Sequence, residues 1–314
     1  MLKRVVGYFI FHIRLNFYAY FLWPFIRRLL PRLRVMSELD TLEKILNNHL
    51  SCIRFGDGEF NLMIGGNGPN FQKNTPRLRE LLNEAFQTTK GNILVCVPGA
   101  LDCDTLNKRA GAIYTGKARN FWRYFLITYS SFIRDNISED TLYGNALITR
   151  PYMDRLDREF MTSVLNLYKK IFRGRDIIII EGELTRFGVG NDLLDVANSV
   201  KRIIAPGKNA FDSYNQLVEI CCVLCKSNPN ILFLVSLGPT AKLLVKKISD
   251  FQGQALDIGH LDIEYEWFIR KKRIKSPVPG KYVNESLKPL AEHELDLSEY
   301  RKEIYIDLTQ KVRC

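Results

Sequence analysis

An α/β fold is predicted: a Rossmann-like, mostly parallel sheet flanked by helices, preceded by an N-terminal apolar and basic membrane-facing helix. Three observations predict it. From about residue 37, short apolar β-rich runs alternate with longer amphipathic stretches, the pattern of a sheet covered on both faces. Polar residues leave those runs at what would be one rim (Asp57, Glu181, Ser236 and His260), where ligands of such sheets collect. Residues 1–34 carry seven basic side chains (Lys3, Arg4, Arg14, Arg27, Arg28, Arg32 and Arg34) and no acidic one, around an aromatic apolar stretch.

That stretch, residues 5–26, is followed by no small-residue cleavage site, so it does not read as a secretory signal. Arg14 near its middle makes a clean membrane span costly. On a helix lying in the interface, the arginine reaches the headgroups while Tyr18, Tyr20 and Trp23 sit at the polar boundary. A true span, and a helix packed on its own domain or a partner, remain the alternatives. Residues 1–36 are taken as the anchoring segment.

Within 37–275, Ser37 caps a helix whose inward positions include Leu39, Leu42, Ile45 and Leu46. A strand at 52–55 opens into Gly56-Asp57-Gly58-Glu59. A helix over 78–86 and a strand over 93–97, ended by Pro98-Gly99, come next. Residues 120–132 read as an aromatic helix whose Trp122, Phe125 and Phe132 belong to the core. A strand at 142–149 leads to Arg150, then a helix over 154–172 and the apolar run 176–180. Strands at 202–205 and 231–236 enclose a helix through 213–225, and a helix over 240–248 with the run 255–258 completes the series. Pro277 and Pro279 mark a boundary before an appendage, 276–314, whose Leu295, Leu297, Tyr300, Ile304, Ile306 and Leu308 are expected to pack.

Forty-five Lys and Arg against thirty-four Asp and Glu give a formal charge of +11, which favours anionic partners. Because +7 of it lies in residues 1–34, a nucleic-acid surface across the domain is disfavoured. Seven cysteines, an odd number without framework spacing, point to a reducing compartment. The run C-C-V-L-C at 221–225 lies in an apolar pattern where thiols act as small core hydrophobes. Four histidines leave a Cys/His zinc site little to draw on.

Three segments carry candidate chemistry. In R-F-G-D-G-E at 54–59, an extended chain would put Asp57 and Glu59 on one side as oxygen ligands for Mg²⁺ or Mn²⁺; the bland reading is a D-G turn. In E-G-E-L-T-R-F-G-V-G-N-D at 181–192, a glycine-bearing loop enters a helix near Asn191, with Arg186 as a phosphate clamp or a local salt bridge. Leu193 stands where a dinucleotide fingerprint needs its last glycine, and no P-loop is present. In D-I-G-H-L-D-I-E-Y-E-W at 257–267, Asp262, Glu264 and Glu266 crowd beside His260. Their repulsion would raise some carboxyl pKa values unless a cation intervenes, which suits a general base or a metal ligand. A solvated acidic stripe is the alternative. Lys208 in A-P-G-K-N-A-F, and Ser236, Gly238 and Thr240 in S-L-G-P-T-A, exit strands as further nucleotide contacts or as ordinary loop and cap residues.

Together with Y-G-N-A-L-I-T-R at 143–150, these motifs resemble the bacterial glycosyltransferases of the GT-D fold, in order from about residue 45 to 270. The resemblance implies a nucleoside-diphosphate sugar donor, typically UDP-glucose, and a divalent metal (Mn²⁺ or Mg²⁺) at Asp57 and Glu59. It also implies a bacterial glycan acceptor, whether glycoprotein or lipid-linked saccharide. Arg54 and Arg150, the ends of two motifs, join Arg186, Asn191, Lys208, Ser236, Gly238 and Thr240 as donor-binding candidates. Glu264 is the favoured base, with Asp262, Glu266 and His260 as competitors, and inversion is the expected course. With the N-terminal segment, the expected location is the cytoplasmic face of the bacterial inner membrane, peripheral or monotopic, against an anionic surface. The rivals are a metal-dependent nucleotide-sugar phosphohydrolase and a non-catalytic nucleotide-sugar-binding membrane protein.

Overall fold

The computed structural model describes residues 17–88, 91–106, 113–284 and 296–309. The described strands are β1 (Arg34–Val35), β2 (Ser51–Arg54), β3 (Ile93–Val97), β4 (Leu142–Asn145), β5 (Asp176–Gly182), β6 (Ser199–Ala205), β7 (Leu232–Ser236), β8 (Gln254–Asp257) and β9 (Ile304–Asp307). They form one sheet in the order β1-β4-β3-β2-β8-β7-β5-β6-β9. Every pairing is parallel. The predicted sheet is therefore present.

Strand alternation sends one side chain to each face, and both faces are covered. In β5, Ile178 and Ile180 join the core under the helices Pro76–Phe86, Gly116–Thr128 and Pro239–Asp250. Ile177 and Ile179 join the core under the helix Phe160–Phe172. The chain runs from β2 through β3 and β4 in one direction. It then crosses to β5 and β6 and returns through β7 to β8, beside β2. That meeting of β2 and β8 is a topological switch point, where a cleft opens at the carboxyl ends.

Three expectations change and one left open is resolved. Residues 57–59 are helical rather than extended: Gly56 is extended, its N–H donates to Glu59, and the helix Asp57–Met63 begins at once. The strand expected to reach Thr149 stops at Asn145, whose side-chain oxygen accepts from Leu147 N and Gly99 N and turns the chain into a 3₁₀ segment. No helix starts near Asn191; residues 183–198 are successive turns. Between the two periods left open for 261–267, the helix is present, over Leu261–Ile269.

Nor does a boundary fall at 276. Val278 and Val283 belong to a core, Tyr282 N donates to Leu184 O, and β9 pairs with β6. At the other end, a π-helical turn Tyr18–Leu22 continues into the helix Trp23–Ile26 and packs on the domain through Ala19, Trp23, Leu30 and Leu33. Among the described residues no helix is long and apolar enough to cross a membrane. His12, Arg14, Leu295 and Cys314 lie outside the described residues. Cys221 and Cys225 are buried in the core, as expected of small hydrophobes.

Candidate active-site cleft

A cleft opens over the carboxyl ends of β5 to β8. It is lined by Glu183, Leu184 and Thr185 after β5, Gly207 and Lys208 after β6, Ser236 and Gly238 after β7, and Gly259, His260 and Ile263 after β8. Phe71, Gln72, Tyr282 and Asn284 close its sides. Phe71 is fixed by its neighbours: its carbonyl accepts from Asn209 N, and Lys73 N donates to Asn209 Oδ1. Gly238 has φ +54°, and a Cβ there would lie 2.5 Å from the Phe71 ring, so only glycine lets loop and ring meet.

Beside this cleft, under β2 and β8, lies a chain of buried charges. Arg54 donates from Nε to Asp257 O (2.7 Å), from Nη2 to Asp257 Oδ1 (2.8 Å), and from Nη1 to Ala146 O (3.0 Å) and Thr149 Oγ1 (2.5 Å). Lys242 Nζ forms ion pairs with Asp257 Oδ2 at 3.0 Å and Glu59 Oε1 at 2.8 Å, and donates to Gly238 O. Burial alone would push the Asp257 carboxyl up; Arg54 and Lys242 outweigh it and hold the carboxyl below its ordinary range. Gly259 is needed here as well, since a Cβ on it would lie 2.0 Å from Arg54 Nη2.

The candidate residues sort by what they touch. Lys208, Ser236, Gly238 and His260 border the cleft. Arg54 lies beside the cleft and gives four of its N–H groups to Asp257, Ala146 and Thr149. Arg186 donates to Gly280 O at 2.7 Å, which ties the C-terminal passage down. Asn191 donates to Asp262 and Glu266 and is no helix start for phosphate. Thr240 is fully buried and lies away from the cleft lining. Glu181, one of the four polar strand exits, is also fully buried and pairs with Arg202 at 2.8 Å.

The crowded carboxylates separate into two groups. Asp262 and Glu266, one helical turn apart, share the buried Lys281 ammonium at 2.7 and 3.2 Å. Asp262 also accepts from Gly188 N, and Glu266 from Arg270. Neither faces the cleft as a base, because fixed donors hold both. Glu264 points elsewhere on the helix and accepts from Tyr152 N (2.9 Å) and Met153 N (2.8 Å) with Oε2. Its Oε1 has no hydrogen-bond partner among the described residues. Burial pushes its carboxyl up to about 7, although the nearby Arg150 opposes the rise. The Arg150 charge also lowers the Asp57 carboxyl, so one guanidinium acts on both carboxyls.

The raised Glu264 carboxyl has a measurable consequence. The folded chain keeps a proton that the unfolded chain releases between its ordinary 4.5 and about 7. Stability should therefore fall as pH rises through that window, by roughly 3 kcal/mol in all. Glu264→Gln keeps the acceptor for the two amides and removes the ionisation. Urea unfolding should give parent and variant similar stability near the lower end and a more stable variant above the upper end. An identical slope in both would contradict the buried-carboxyl account.

Fit to a divalent cation differs between the two motif carboxylates. Glu59 is occupied, Oε2 by Gly56 N–H and Oε1 by Lys242. Asp57 keeps solvent contact yet is hemmed by protein, which pushes its carboxyl up; Glu59 adds to this and Arg150 opposes it. An ionised Asp57 is thus short of a counter-charge that a cation would supply. Mg²⁺ commonly binds one or two carboxylates and completes its shell with water and substrate phosphates. Asp57 fits that arrangement, whereas Glu59 would join only by releasing Lys242. Among the described residues no group of three or more His, Cys, Asp or Glu is arranged to hold a metal.

Lys242, Lys281 and Phe71 were not singled out by sequence. Lys242 sits within the apolar helical run A-K-L-L-V, where an ammonium needs a buried partner. Lys281 is the cation that the crowded 262–266 carboxylates require. Phe71 lies in a loop with no periodicity to mark it.

Fold and cleft define a parallel α/β domain with a ligand site at its strand ends and mixed charge suited to a phosphorylated substrate. The chain belongs to the glycosyltransferase GT-D fold family, whose model matches residues 52–286. It is 35% identical over 258 residues to Glycosyltransferase GlyD of Streptococcus pneumoniae serotype 4, covering 82% of this chain and 29% of that protein. It is 35% identical over 272 residues to the Probable glycosyl transferase Gly of Streptococcus gordonii, covering 86% of this chain and 37% of that protein. The chain thus spans only about a third of the length of these curated relatives. A solved structure described as a new glycosyltransferase (DUF1792) from Streptococcus sanguinis is 31% identical, with a TM-score of 0.77 over 88% of this chain and 99% of that one. Another, described as the highly conserved domain of unknown function 1792 with a distinct glycosyltransferase fold, is 34% identical with a TM-score of 0.76. It covers 88% of this chain and 96% of that one.

Proposed function

We propose that this chain transfers a hexose, glucose favoured, from a nucleoside-diphosphate sugar, UDP-linked, to a hydroxyl of a bacterial glycan acceptor. The observation that supports this reading is the single cleft where the β6 loop with Lys208, the β7 loop with Gly238, and His260 converge around Phe71. Lys208 and the loop amides suit the diphosphate, and the flat faces of Phe71 and Tyr282 suit a base or sugar ring. Arg150, whose charge acts on both Asp57 and Glu264, supplies positive charge toward the leaving diphosphate. A divalent cation, when bound, would neutralise more of that charge; Asp57 would hold it together with donor phosphate oxygens.

His260 borders the cleft and takes the proton of the attacking hydroxyl; Glu264, sealed one turn behind, positions the 150–153 segment. His260 as the one base suits a single displacement with inversion. The acceptor is a glycan, glycoprotein or lipid-linked saccharide.

The test is a screen of UDP-, GDP-, dTDP- and CMP-sugars with host glycan acceptors, with and without Mn²⁺. UDP-glucose turnover should require acceptor, and His260→Ala should lower kcat about a hundred-fold or more with donor KM little changed. Equal turnover without acceptor would replace the transferase reading with a nucleotide-sugar phosphohydrolase. A near-normal rate for His260→Ala would move the base elsewhere.

A further inference from the structure

The helical segment beginning at Phe17 is apolar on two sides. One side is packed: Ala19 and Trp23 are buried, and Tyr18 meets the Tyr124 ring edge-on at 5.3 Å. The other side faces water. Phe17 is 50% exposed, Tyr20 63%, Phe21 65%, Phe25 69% and Leu29 60%. Phe17, Phe21, Phe25 and Leu29 recur every four residues along one stripe, and Tyr20 stands beside Phe21. The rings of Phe17 and Phe21 stack on each other at 5.3 Å, which leaves their outer faces bare. Elsewhere the exposed large hydrophobics are scattered singly, as they are on ordinary surfaces.

Cations border the stripe. Arg27, Arg28, Arg32 and Arg34 are exposed, and Lys117 is exposed on the helix against which the segment packs. Arg123 of that helix lies over Trp23, 5.8 Å from the ring centroid. Burial, then the like charges of Arg119 and Arg27, lower the Arg123 pKa. The nearby acidic side chain, Glu139, accepts from Arg32 N.

We propose that this face docks on an anionic lipid bilayer, the rings of Phe17, Tyr20, Phe21 and Phe25 entering the boundary between headgroups and acyl chains while the arginines meet lipid phosphates. Aromatic rings favour that boundary, and long basic side chains reach from it to the headgroups. The arginine cluster argues against a second copy of the chain, which would bring an identical set of cations onto this one. The segment lies along the domain, held by Ala19, Trp23, Leu30 and Leu33, so it rests on the membrane surface. The anionic cytoplasmic leaflet of a bacterial inner membrane is the matching surface.

The position ties docking to the cleft. Phe60 of the helix Asp57–Met63 meets Phe125 edge-on at 5.5 Å and Tyr129 at 6.4 Å, on and just after the helix Gly116–Thr128. The docking segment and the Asp57 helix therefore pack on the same helix. On the glycosyltransferase reading, this would present the cleft to a lipid-linked acceptor; docking itself stands without that reading.

Vesicle flotation of the full chain tests it, with phosphatidylcholine alone and with about one third phosphatidylglycerol. The parent should partition at least ten-fold more strongly onto the anionic vesicles, and less at high salt. Phe21→Ser/Phe25→Ser and Arg27→Glu/Arg28→Glu should each lower that binding about ten-fold or more, with thermal unfolding and donor turnover unchanged. Binding as strong as the parent's in either double variant would overturn the proposal. So would light scattering that showed a parent dimer split by Phe21→Ser/Phe25→Ser. Loss of transferase activity in every assay would leave the flotation result standing, so the two readings fail separately.

Discussion

Asp57→Asn is expected to lower sugar transfer by about a hundred-fold to a thousand-fold while the protein stays folded. The asymmetry of the D-G-E motif is the reason. Asp57 occupies the first turn of its helix with solvent contact, and its carboxyl answers to Arg150 and Glu59 rather than to a packed partner. Its loss removes charge near the switch point and little from the fold. Glu59 is different: it caps the helix through Gly56 N–H and pairs with buried Lys242. Glu59→Gln should therefore cost about 1–3 kcal/mol of stability besides activity, since it leaves Lys242 with a weaker second partner. Thermal melts beside transfer assays separate the two. If Asp57→Asn retained parental transfer and parental response to Mn²⁺, the carboxylate would have no part in donor activation.

Lys281→Ala is the largest expected loss of stability. Its ammonium is fully buried between Asp262 and Glu266, and removing it strands two carboxylates in the interior. Breaking such a group costs about 3–5 kcal/mol. For a domain of this size that lowers Tm by roughly 10 °C. Burial pushes Glu266 up, but Lys281, Asn191 and Arg270 hold it below its ordinary range; without Lys281 that balance tips toward a protonated acid. The loss should therefore shrink at low pH, where the stranded carboxylates take up protons. Lys281→Met with Asp262→Asn should recover part of it. A single variant as stable as the parent would show that the three charges are not coupled.

The architecture was legible because its signals are local. The Ile177–Ile180 run, the short apolar runs of β2 and β3, and the amphipathic helices all declare themselves within a few residues. What was not legible depended on distant partners. Arg54 and Arg186 stand in their motifs as donor-binding candidates, and the fold also engages them with Asp257 and Gly280 across long sequence separations. Asp262, Glu264 and Glu266 form one acidic cluster in sequence; a helix turns them toward different neighbours, and Lys281 decides their roles. The short strands β1 and β9 were missed because two to four residues at a sheet edge carry too little pattern. The demand for a cation near 262–266 was readable, though its identity was not.

The edge strand β9 has a consequence for biogenesis. β6, which carries the Lys208 loop, leaves the ribosome well before the segment that shields its outer flank, and Arg202 waits in the interim for Glu303. During translation that flank is an open template for illicit pairing with other nascent chains. The sheet is thus completed late, once residues 304–307 have folded back, and chaperone occupancy of the unfinished sheet should track how quickly that happens.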